Sequence, residues 1–499
     1  ADALWMRRDM LPHRALCLTD DRQDLIQSLR DGFEGKSTTL IQSQALASAR
    51  KPVFVFTGNG AQWIGMGRKL YAESETFRVA VDEVETIFAD YANFSLLPHF
   101  QTDAATQLDR TELAQPLIFA IQVGLVRCLA AAGITPSATL GHSLGEVAAA
   151  WAAGALELEQ AVKVIRLRSK HQQLSQNQGG MTVVAAPRKE VEALLGHPSL
   201  DGIEVVVSGE NSPRAVTLAG EESALTVFEA VMQERSMSFK RLDLPYPFHS
   251  PQMDAIAQGF TSELGELFVE GSNLPFYSTV TGRMEAGPLG TEYWQSNIRE
   301  PVLFRDAVEA AINDEHRVFI EIGPHPVLAS HVLHTLQAKR VEGHAVGIIT
   351  KDQDSAADLS ATLWKLILGG VGYDWSRHFC FPPSRVAELP HYPWQMETYA
   401  LPVSSEGGGL VSNDKEHPLL GYRAHGKDWV WENHLDTTGM PWLADHQVGG
   451  RAGGELAQPL DHSQQRTRIT PTRLTGIQPI PYLLQPLIIQ HRPCPPPSP

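Results

Sequence analysis

The sequence predicts an α/β fold, in which helices flank a mainly parallel sheet and a second, βαββαβ unit is inserted. Three observations support this fold class. Short apolar runs alternate with amphipathic helical patterns along the chain. A Gly-x-Ser-x-Gly turn at 141–145 joins one of these runs to an Ala-rich segment. The stretch 181–245 predicts strands and helices in the order β-α-β-β-α-β, which is the split, ferredoxin-like arrangement.

The body of the fold begins after a polar segment. Residues 1–50 are predicted to be a linker, or the edge of a preceding domain, with one helix at 22–33. The first core strand, 53–56, ends in the turn 57–60, where two glycines permit a sharp change of direction. Helical patterns follow at 66–91 and 113–132.

The Gly-x-Ser-x-Gly turn reads Gly141-His142-Ser143-Leu144-Gly145. A weak strand at 137–140 precedes it, and a helical Ala-rich run follows it. The two glycines leave room for a tight turn that holds the hydroxyl of the central residue above the sheet, with a helix N-terminus beneath it. Ser143 is therefore the best nucleophile candidate, and the core is predicted to be α/β-hydrolase-like.

The inserted unit falls between this turn and the later core, so we expect it to border a cleft. Its predicted strands are 181–186, 203–208, 215–219 and 239–244, and its predicted helices are 188–195 and 221–235. The core resumes with predicted strands at 274–279 and 317–322 and with a helix near 357–368.

Composition and charge narrow the class of protein. With 499 residues the chain exceeds one ordinary domain. Its 41 basic and 57 acidic residues give a net charge of −16, so neither nucleic acid nor an anionic membrane is favoured as a partner. We find no long uncharged apolar span and no signal-peptide pattern, and we predict a cytoplasmic location. The chain begins with Ala1 rather than Met, so we expect it to be a piece of a longer protein.

The cysteines give no sign of a metal site. The four of them are scattered, form no Cys-x-x-Cys or Cys/His cluster, and suit a reducing compartment. We therefore predict no bound metal. They are Cys17, Cys128, Cys380 and Cys494.

Seven short segments between about residues 52 and 330 form a recognisable series. They are FTGNGAQ at 56–62 running into GMG at 65–67, QP at 115–116, GHSLG at 141–145, RS at 168–169, YPFHS at 246–250, WQSNIR at 294–299 and EIGPHP at 321–326. Together and in this order they resemble the acyltransferase domains of modular polyketide synthases and the malonyl-transacylases of fatty acid synthesis. Seven blocks in family order are far more specific than any one of them.

The resemblance implies a role for each matched residue of the catalytic centre. Ser143 is expected to form an acyl-enzyme with His249 as its base, because a serine hydroxyl is a weak nucleophile without one. Asn297 matches the position that orients this histidine. The backbone N–H groups of Asn59 and Leu144 are expected to form the oxyanion hole, although the family usually has Gln at position 59.

Substrate recognition is implied in the same way. The guanidinium of Arg168 is expected to hold the malonyl carboxylate bidentately. Gln115, His142, Tyr246 and Phe248 are expected to shape the pocket. Arg166, two residues before Arg168, is expected to point elsewhere as a solvated charge.

The residue before the catalytic histidine bears on the extender unit. In this family it tends to be Phe in malonyl-type domains and Ser in methylmalonyl-type domains. Phe248 would crowd a 2-methyl group and favours malonyl. Tyr246 is instead what the methylmalonyl pattern shows at its first position, and Pro247 fits neither motif. Malonyl is predicted, with methylmalonyl as the alternative.

The C-terminal part resembles other pieces of such synthases. Residues 351–403 are predicted to be the linker that follows the acyltransferase domain at 51–350. Residues 416–450 resemble the opening of a dehydratase, in which His446 matches the catalytic base, but the sequence departs from that family at Arg451. We predict a truncated or frame-disrupted domain with an inactive His446. The tail 451–499 is predicted to be disordered or aberrant.

The function predicted from these residues is transfer of an extender acyl group, malonyl by preference, from acyl-CoA to the phosphopantetheine of an acyl carrier protein. No tightly bound cofactor is expected, and the expected partners include a ketosynthase and other synthase domains. One alternative is a serine esterase or thioesterase, which predicts an Asp or Glu between Ser143 and His249 in the chain and no need for Arg168. Another is a non-catalytic remnant of a broken synthase.

Overall fold

The structure is a computed structural model, and it divides the chain into two units. One comprises Ala1–Ala387 with Tyr482–Pro499, and the other is Glu388–Pro481. The described residues are 11–373, except for gaps at 20, 35, 37–39, 47–48, 50, 103–106, 197–199, 201, 203 and 270, and beyond 373 only 422–423, 431–432, 441, 445, 447–448, 451–452 and 485–489.

Strands and helices alternate along most of the first unit. Its strands are β1 (His13–Leu18), β2 (Leu40–Gln44), β3 (Val53–Phe56), β4 (Ala138–Gly141), β5 (Gly180–Val184), β6 (Val205–Ser212), β7 (Ala215–Gly220), β8 (Phe239–Arg241), β9 (Phe276–Ser278), β10 (Arg283–Glu285), β11 (Val318–Ile322) and β12 (His344–Gly347). Its helices are α1 (Arg22–Phe33), α2 (Arg68–Glu73), α3 (Glu75–Phe88), α4 (Leu97–Gln101), α5 (Thr111–Ala131), α6 (Gly145–Ala152), α7 (Leu158–Gln173), α8 (Arg188–Leu195), α9 (Glu222–Glu234), α10 (Asp254–Leu264), α11 (Thr291–Arg299), α12 (Phe304–Asn313), α13 (Ala329–Lys339) and α14 (Ala356–Leu368).

The central sheet has the strand order β10-β9-β4-β3-β11-β12. Every neighbouring pair is parallel except β10 and β9, which confirms the predicted mainly parallel core. β3 is buried on both faces, as a parallel strand covered by helices must be, and its residues alternate between two apolar clusters. Phe56 pairs with Gly141 on one side and with Ile322 on the other. The loops that follow these three strands therefore meet at one edge of the sheet.

The inserted unit forms its own sheet, with the order β6-β7-β5-β8 and antiparallel pairs throughout. This arrangement confirms the ferredoxin-like prediction. The unit also has its own apolar cluster, which includes Leu218, Leu225 and Phe228. β6 runs four residues beyond its predicted end at 208, because its last residues continue to pair with β7. Gly209 in this extension also forms a bridge to Val302 of the core.

The helical pattern at 66–91 is two helices rather than one. The chain is extended at Ser74, whose hydroxyl accepts a hydrogen bond from the backbone N–H of Phe77 and so caps α3. The Ser74 hydroxyl satisfies a backbone N–H that the first turn of a helix leaves unpaired. α2 therefore ends at Glu73, one residue before this cap.

The predicted linker 1–50 contains two strands that its local pattern did not reveal. β1 and β2 pair in antiparallel fashion beside α1. Leu16 of β1 is fully buried in a cluster with Trp364, Ile367 and Leu368 of α14. The prediction for this segment named one helix and missed both strands, because their packing depends on a helix that lies far along the chain.

The structure describes only some of the residues for which the C-terminal predictions were made. Residues 485–489 form a further strand, β17 (Gln485–Ile489), which pairs in parallel with β1. Residues 451–452 of the tail also lie in a short strand, so the prediction of disorder was wrong for these seven residues. In the second unit, β13 (Tyr422–Arg423) pairs with β14 (Trp431–Glu432), and β15 (Gln447–Val448) pairs with β16 (Arg451–Ala452). His446, the segment 374–403 and most of 416–450 lie outside the described residues.

Helix α5 is long and apolar enough to cross a membrane by length and composition. Most of it is nevertheless enclosed by protein, with 78% of its apolar window buried. It packs in the main apolar cluster of the core, which explains its composition without a membrane.

Candidate active site

Ser143 lies in the tight turn between β4 and α6, at the carboxyl edge of the central sheet. Its backbone is left-handed, with φ of 54°. A Cβ on Gly141 would lie 2.3 Å from the amide nitrogen of Glu146, and a Cβ on Gly145 would lie 2.3 Å from the carbonyl oxygen of Phe56. Both glycines are therefore required by close backbone packing, which holds the Ser143 hydroxyl at the sheet edge.

His249 reaches this hydroxyl from the segment that follows the inserted unit. Its Nε2 lies 2.7 Å from Ser143 Oγ, and its Nδ1 lies 2.9 Å from the carbonyl oxygen of Glu300. A carbonyl oxygen only accepts, so Nδ1 carries the proton and Nε2 is free to accept one from Ser143. Burial, and then the positive charge of Arg168, lower the pKa of His249 to about 3. The imidazole is therefore neutral at neutral pH.

Arg168 is a buried cation behind Ser143, with 1% of its surface exposed. Its Nη2 donates to Ser143 Oγ at 2.9 Å, and its Nε donates to Asn297 Oδ1 at 3.1 Å. Its Nη1 donates to the side-chain oxygens of both Gln115 and Gln172, each at 2.7 Å. The amides thus hold the guanidinium so that Nη2 is the nitrogen that faces the nucleophile.

Asn297 links Arg168 to a second buried charge, the carboxylate of Glu146. Its Nδ2 donates to Glu146 Oε2 at 2.8 Å and to the carbonyl oxygen of Ser143 at 3.1 Å. Burial raises the pKa of Glu146 to about 7, while the hydrogen bonds donated to it oppose this rise and favour the ionised form. Burial also lowers the pKa of Arg168 to about 9, and the charge of Glu146 opposes this decrease.

Two backbone N–H groups stand beside Ser143. Leu144 is the N-cap residue of α6, and Asn59 lies in the turn after β3 and lines the cavity in front of the nucleophile. Both N–H groups remain without an acceptor in the described part of the chain.

A cavity of about 480 Å³ opens onto Ser143 between the core and the ferredoxin-like unit. Its volume is in the range of small-molecule sites. His142 lies on its wall, where Nε2 is 2.8 Å from Oδ1 of Asn211 in β6, so this histidine joins the serine turn to the inserted unit. The cavity is lined from the core by Asn59, His142, Ser143, Phe248 and His249, and from the inserted unit by Met181, Val183, Asn211, Lys240 and Leu242.

Phe248 is the bulky residue of this wall, and Tyr246 stands behind it. Their rings stack with centroids 4.8 Å apart. Tyr246 is fully buried, does not line the cavity, and bonds through its hydroxyl to the carbonyl of Asp109 and the N–H of Thr111. The expectation that Tyr246 itself shapes the pocket was therefore wrong, because its side chain supports Phe248 from the core side.

Comparison with known proteins assigns this arrangement to a family. Residues 53–372, more than half of the chain, match the acyl transferase domain family. The chain belongs to this family. The acyltransferase accordingly has the α/β-hydrolase-like core and ferredoxin-like subdomain of its structural neighbours.

Its relatives are polyketide synthases and transacylases. Erythronolide synthase EryA2 of Saccharopolyspora erythraea is 34% identical over 461 residues, which are 90% of this chain and 13% of that protein. The acyltransferase domain from module 8 of the salinomycin polyketide synthase is 33% identical with a TM-score of 0.70, over 74% of this chain and 88% of that chain. Malonyl CoA-acyl carrier protein transacylase from Clostridium perfringens is 26% identical with a TM-score of 0.56, over 64% of this chain and 97% of that chain. The chain thus spans about 13% of the length of the erythronolide synthase that it matches.

The acyltransferase brings the matched residues of six separate segments to one site, but two expectations were wrong. The group that holds His249 is the backbone carbonyl of Glu300, whereas Asn297 bonds to Arg168. Arg166 is not solvated. It is 5% exposed, pairs with Glu112 at 3.0 Å and lies over a phenylalanine ring, because its helix is enclosed by neighbouring helices.

Three contributors to the site were missed by the sequence analysis. Gln172 is four residues after Arg168 on α7, a spacing that places both on one helix face. Glu146 is a lone charge in an otherwise apolar and small-residue helix, a signal that it must have buried partners. Glu300 contributes only a backbone carbonyl, which no side-chain pattern can reveal. Among the residues described, no three His, Cys, Asp or Glu side chains are grouped to hold a metal ion.

Proposed function

We propose that this acyltransferase loads an extender acyl group, malonyl by preference, from CoA onto Ser143 and passes it to the phosphopantetheine of an acyl carrier protein in polyketide biosynthesis. The observation that carries the proposal is the double contact at Ser143 Oγ, which lies 2.7 Å from His249 Nε2 and 2.9 Å from Arg168 Nη2. The proposed base, His249, and the cation proposed to bind the substrate carboxylate, Arg168, therefore contact the same hydroxyl. Both thioesters come from the substrates, so the reaction needs no bound cofactor. A ketosynthase and other synthase domains are the proposed neighbours.

His249 acts as the base in the first half-reaction. Its Nε2 takes the Ser143 proton while Oγ attacks the thioester carbonyl, and the tetrahedral intermediate collapses by breaking the C–S bond. The departing CoA thiolate takes the proton back from Nε2. In the second half-reaction the carrier thiol gives its proton to Nε2 and its sulfur attacks the acyl-serine ester. The tetrahedral intermediate collapses by breaking the C–Oγ bond, and Nε2 returns the proton to Oγ, which leaves Ser143 as the free alcohol.

The N–H groups of Asn59 and Leu144 are the proposed oxyanion hole. Both stand beside the nucleophile without a competing acceptor among the described residues. The donor is the main chain, so the family's usual glutamine at position 59 is not required. Removal of one such donor typically costs about 10²- to 10³-fold in rate.

Arg168 is the proposed partner of the substrate carboxylate. Because amides occupy Nε and Nη1, the carboxylate first contacts Nη2, where Ser143 Oγ is the present acceptor. A bidentate pair forms when the second carboxylate oxygen replaces one glutamine contact on Nη1. Before substrate binds, the two nitrogens needed for a bidentate pair both have acceptors within the protein.

Phe248 supports malonyl over methylmalonyl. Its ring borders the cavity and cannot retreat, because the ring of Tyr246 is stacked behind it. A 2-methyl group would meet this wall. The discrimination remains modest, since one methyl group is worth about 1–3 kcal/mol in an apolar pocket.

A hydrolase is the second candidate, and two observations weigh against it. The Nδ1 of His249 contacts a backbone carbonyl, whereas a serine hydrolase triad supplies a carboxylate at that position. A buried arginine that contacts the nucleophile also has no role in the hydrolysis of neutral esters.

Incubation with radiolabelled malonyl-CoA tests the proposal. Label should appear on the protein, be absent in Ser143→Ala, and move to added holo carrier protein. Ser137→Ala is the control, because that hydroxyl bonds to the carbonyl of Pro52 outside the site. Label that persists in Ser143→Ala contradicts the nucleophile. Release of free malonate at the same rate with and without carrier favours the hydrolase, and a wild-type chain that never takes up label favours the non-catalytic remnant.

A further inference from the structure

Glu146 is a buried carboxylate that the mechanism above does not use. It lies in the first turn of α6, three residues after Ser143, and has no exposed surface. A charge taken out of water needs compensating partners. Four donors provide them: the backbone N–H and the hydroxyl of Thr279, the hydroxyl of Tyr293 and the Nδ2 of Asn297.

These contacts decide which way the Asn297 amide points. Its Nδ2 faces the Glu146 carboxylate and the Ser143 carbonyl, and both groups can only accept. Oδ1 is thereby turned to Arg168, whose Nε donates to it. A reversed amide would set oxygen against the carboxylate and NH2 against the Nε–H of Arg168, which are two repulsive contacts between buried groups.

Glu146 also supplies negative charge to a buried cation. The other side-chain acceptors on Arg168, namely Gln115, Gln172, Asn297 and Ser143, are neutral. Glu146 is the charged group that favours the protonated guanidinium against the effect of burial. Glu146 therefore both orients Arg168, through Asn297, and favours its positive charge.

We propose that Glu146 is a positioning residue for carboxylate recognition: through Asn297 it holds Arg168 with Nη2 at the Ser143 hydroxyl, and so selects acyl groups that end in a carboxylate over uncharged ones. The inference rests on the proposed function, because the substrate carboxylate is the group that Arg168 would bind. It predicts that Glu146 acts on recognition and leaves the chemistry of Ser143 and His249 in place.

Glu146→Gln tests this with a residue of the same shape. Its amide oxygen stays with the backbone N–H of Thr279, since an NH2 there would meet a donor. The NH2 therefore faces Asn297 Nδ2, donor against donor, and the Asn297 amide must reverse and present its NH2 to Arg168. We expect kcat/KM for malonyl-CoA to fall by about tenfold or more, chiefly through KM. Labelling of Ser143 by an uncharged fluorophosphonate should change by less than about threefold.

Two further variants distinguish a role of Glu146 in positioning Arg168 from a purely structural role. Asp354→Asn is the matched control, because this carboxylate is also buried and accepts the N–H of Gly67 away from the site, so malonyl loading should be unchanged. The double variant Glu146→Gln with Asn297→Asp exchanges the charge and the amide. The new carboxylate can accept from both Arg168 Nε and the new amide, but one of its oxygens faces the Ser143 carbonyl without a proton to donate. The double variant should therefore recover malonyl loading in part and still exceed either single variant. A purely structural role would instead make it the worst of the three.

A crystal structure of Glu146→Gln gives a readout besides activity. We expect Arg168 Nε to have left the residue 297 side chain. Arg168 in its present place with unchanged malonyl loading overturns the inference, as do equal losses of malonyl loading and fluorophosphonate labelling. A wild-type chain that takes up no malonyl contradicts the proposed function, and the position of Arg168 in the variant crystal still decides the role of Glu146.

Discussion

Arg168→Ala separates the recognition of a carboxylate from the chemistry at Ser143. The guanidinium is 1% exposed and donates four hydrogen bonds, one of them to the nucleophile. Loss of a hydrogen-bonded partner from a desolvated charge pair costs about 2–5 kcal/mol. That range corresponds to a fall of about 30- to 4,000-fold in kcat/KM for malonyl-CoA. Acetyl-CoA carries no carboxylate, so its transfer should be spared.

Part of the effect of Arg168→Ala is not specific to substrate. The substitution leaves the side-chain oxygens of Gln115, Gln172 and Asn297 without this donor, at about 1–3 kcal/mol for each group that finds no other partner. Removal of a buried cation offsets some of that cost. The informative quantity is therefore the malonyl-to-acetyl ratio of acyl-enzyme formation, measured side by side with radiolabelled substrates by rapid quench, together with a thermal unfolding midpoint for each protein.

Arg166→Ala is the matched control for this experiment. Arg166 lies two residues earlier on α7, is 5% exposed and pairs with Glu112 at 3.0 Å, on the side away from the nucleophile. Its removal should lower the unfolding midpoint and leave the malonyl-to-acetyl ratio unchanged. Equal losses of malonyl and acetyl transfer in Arg168→Ala would refute the carboxylate role.

Three other changes test the pocket, the turn and the buried histidines. Phe248→Ser should raise the use of methylmalonyl-CoA in competition assays by about 10- to 200-fold at most, because one methyl group is worth about 1–3 kcal/mol, and an unchanged ratio would place selectivity elsewhere. Gly141→Ala should lower the unfolding midpoint and abolish labelling, since its Cβ would lie 2.3 Å from backbone, whereas Gly271→Ala, with nothing within 4 Å, should do neither. His99 is 4% exposed and burial lowers its pKa from 6.5 to about 4. The unfolded chain therefore binds this proton first as pH falls, and the free energy of unfolding should drop between those two values by at most about 3 kcal/mol; urea unfolding of His99→Gln across this window should show a shallower slope, and an identical slope would contradict the shift.

The sequence by itself determined the features that depend on neighbours along the chain. The apolar run at β3 needs only its own composition to be a strand covered on both faces, and its bounds matched the prediction. The order of strands and helices in the inserted unit follows from local periodicity and turn residues. The turn around Ser143 is local as well, because Gly141 and Gly145 meet backbone within a few residues or on the adjacent strand.

Only the tertiary structure decided how distant groups meet. The orientation of His249 depends on a main-chain carbonyl at Glu300, which has no side-chain signature. β1 is stabilised by α14, and the enclosure of Arg166 depends on Glu112 of another helix. Asn297 was matched to the site by its motif, yet its partner is Arg168, since the neighbouring Glu146 carboxylate fixes its amide. Hydrogen-bond direction is a property of the assembled network, and residue type alone does not specify it.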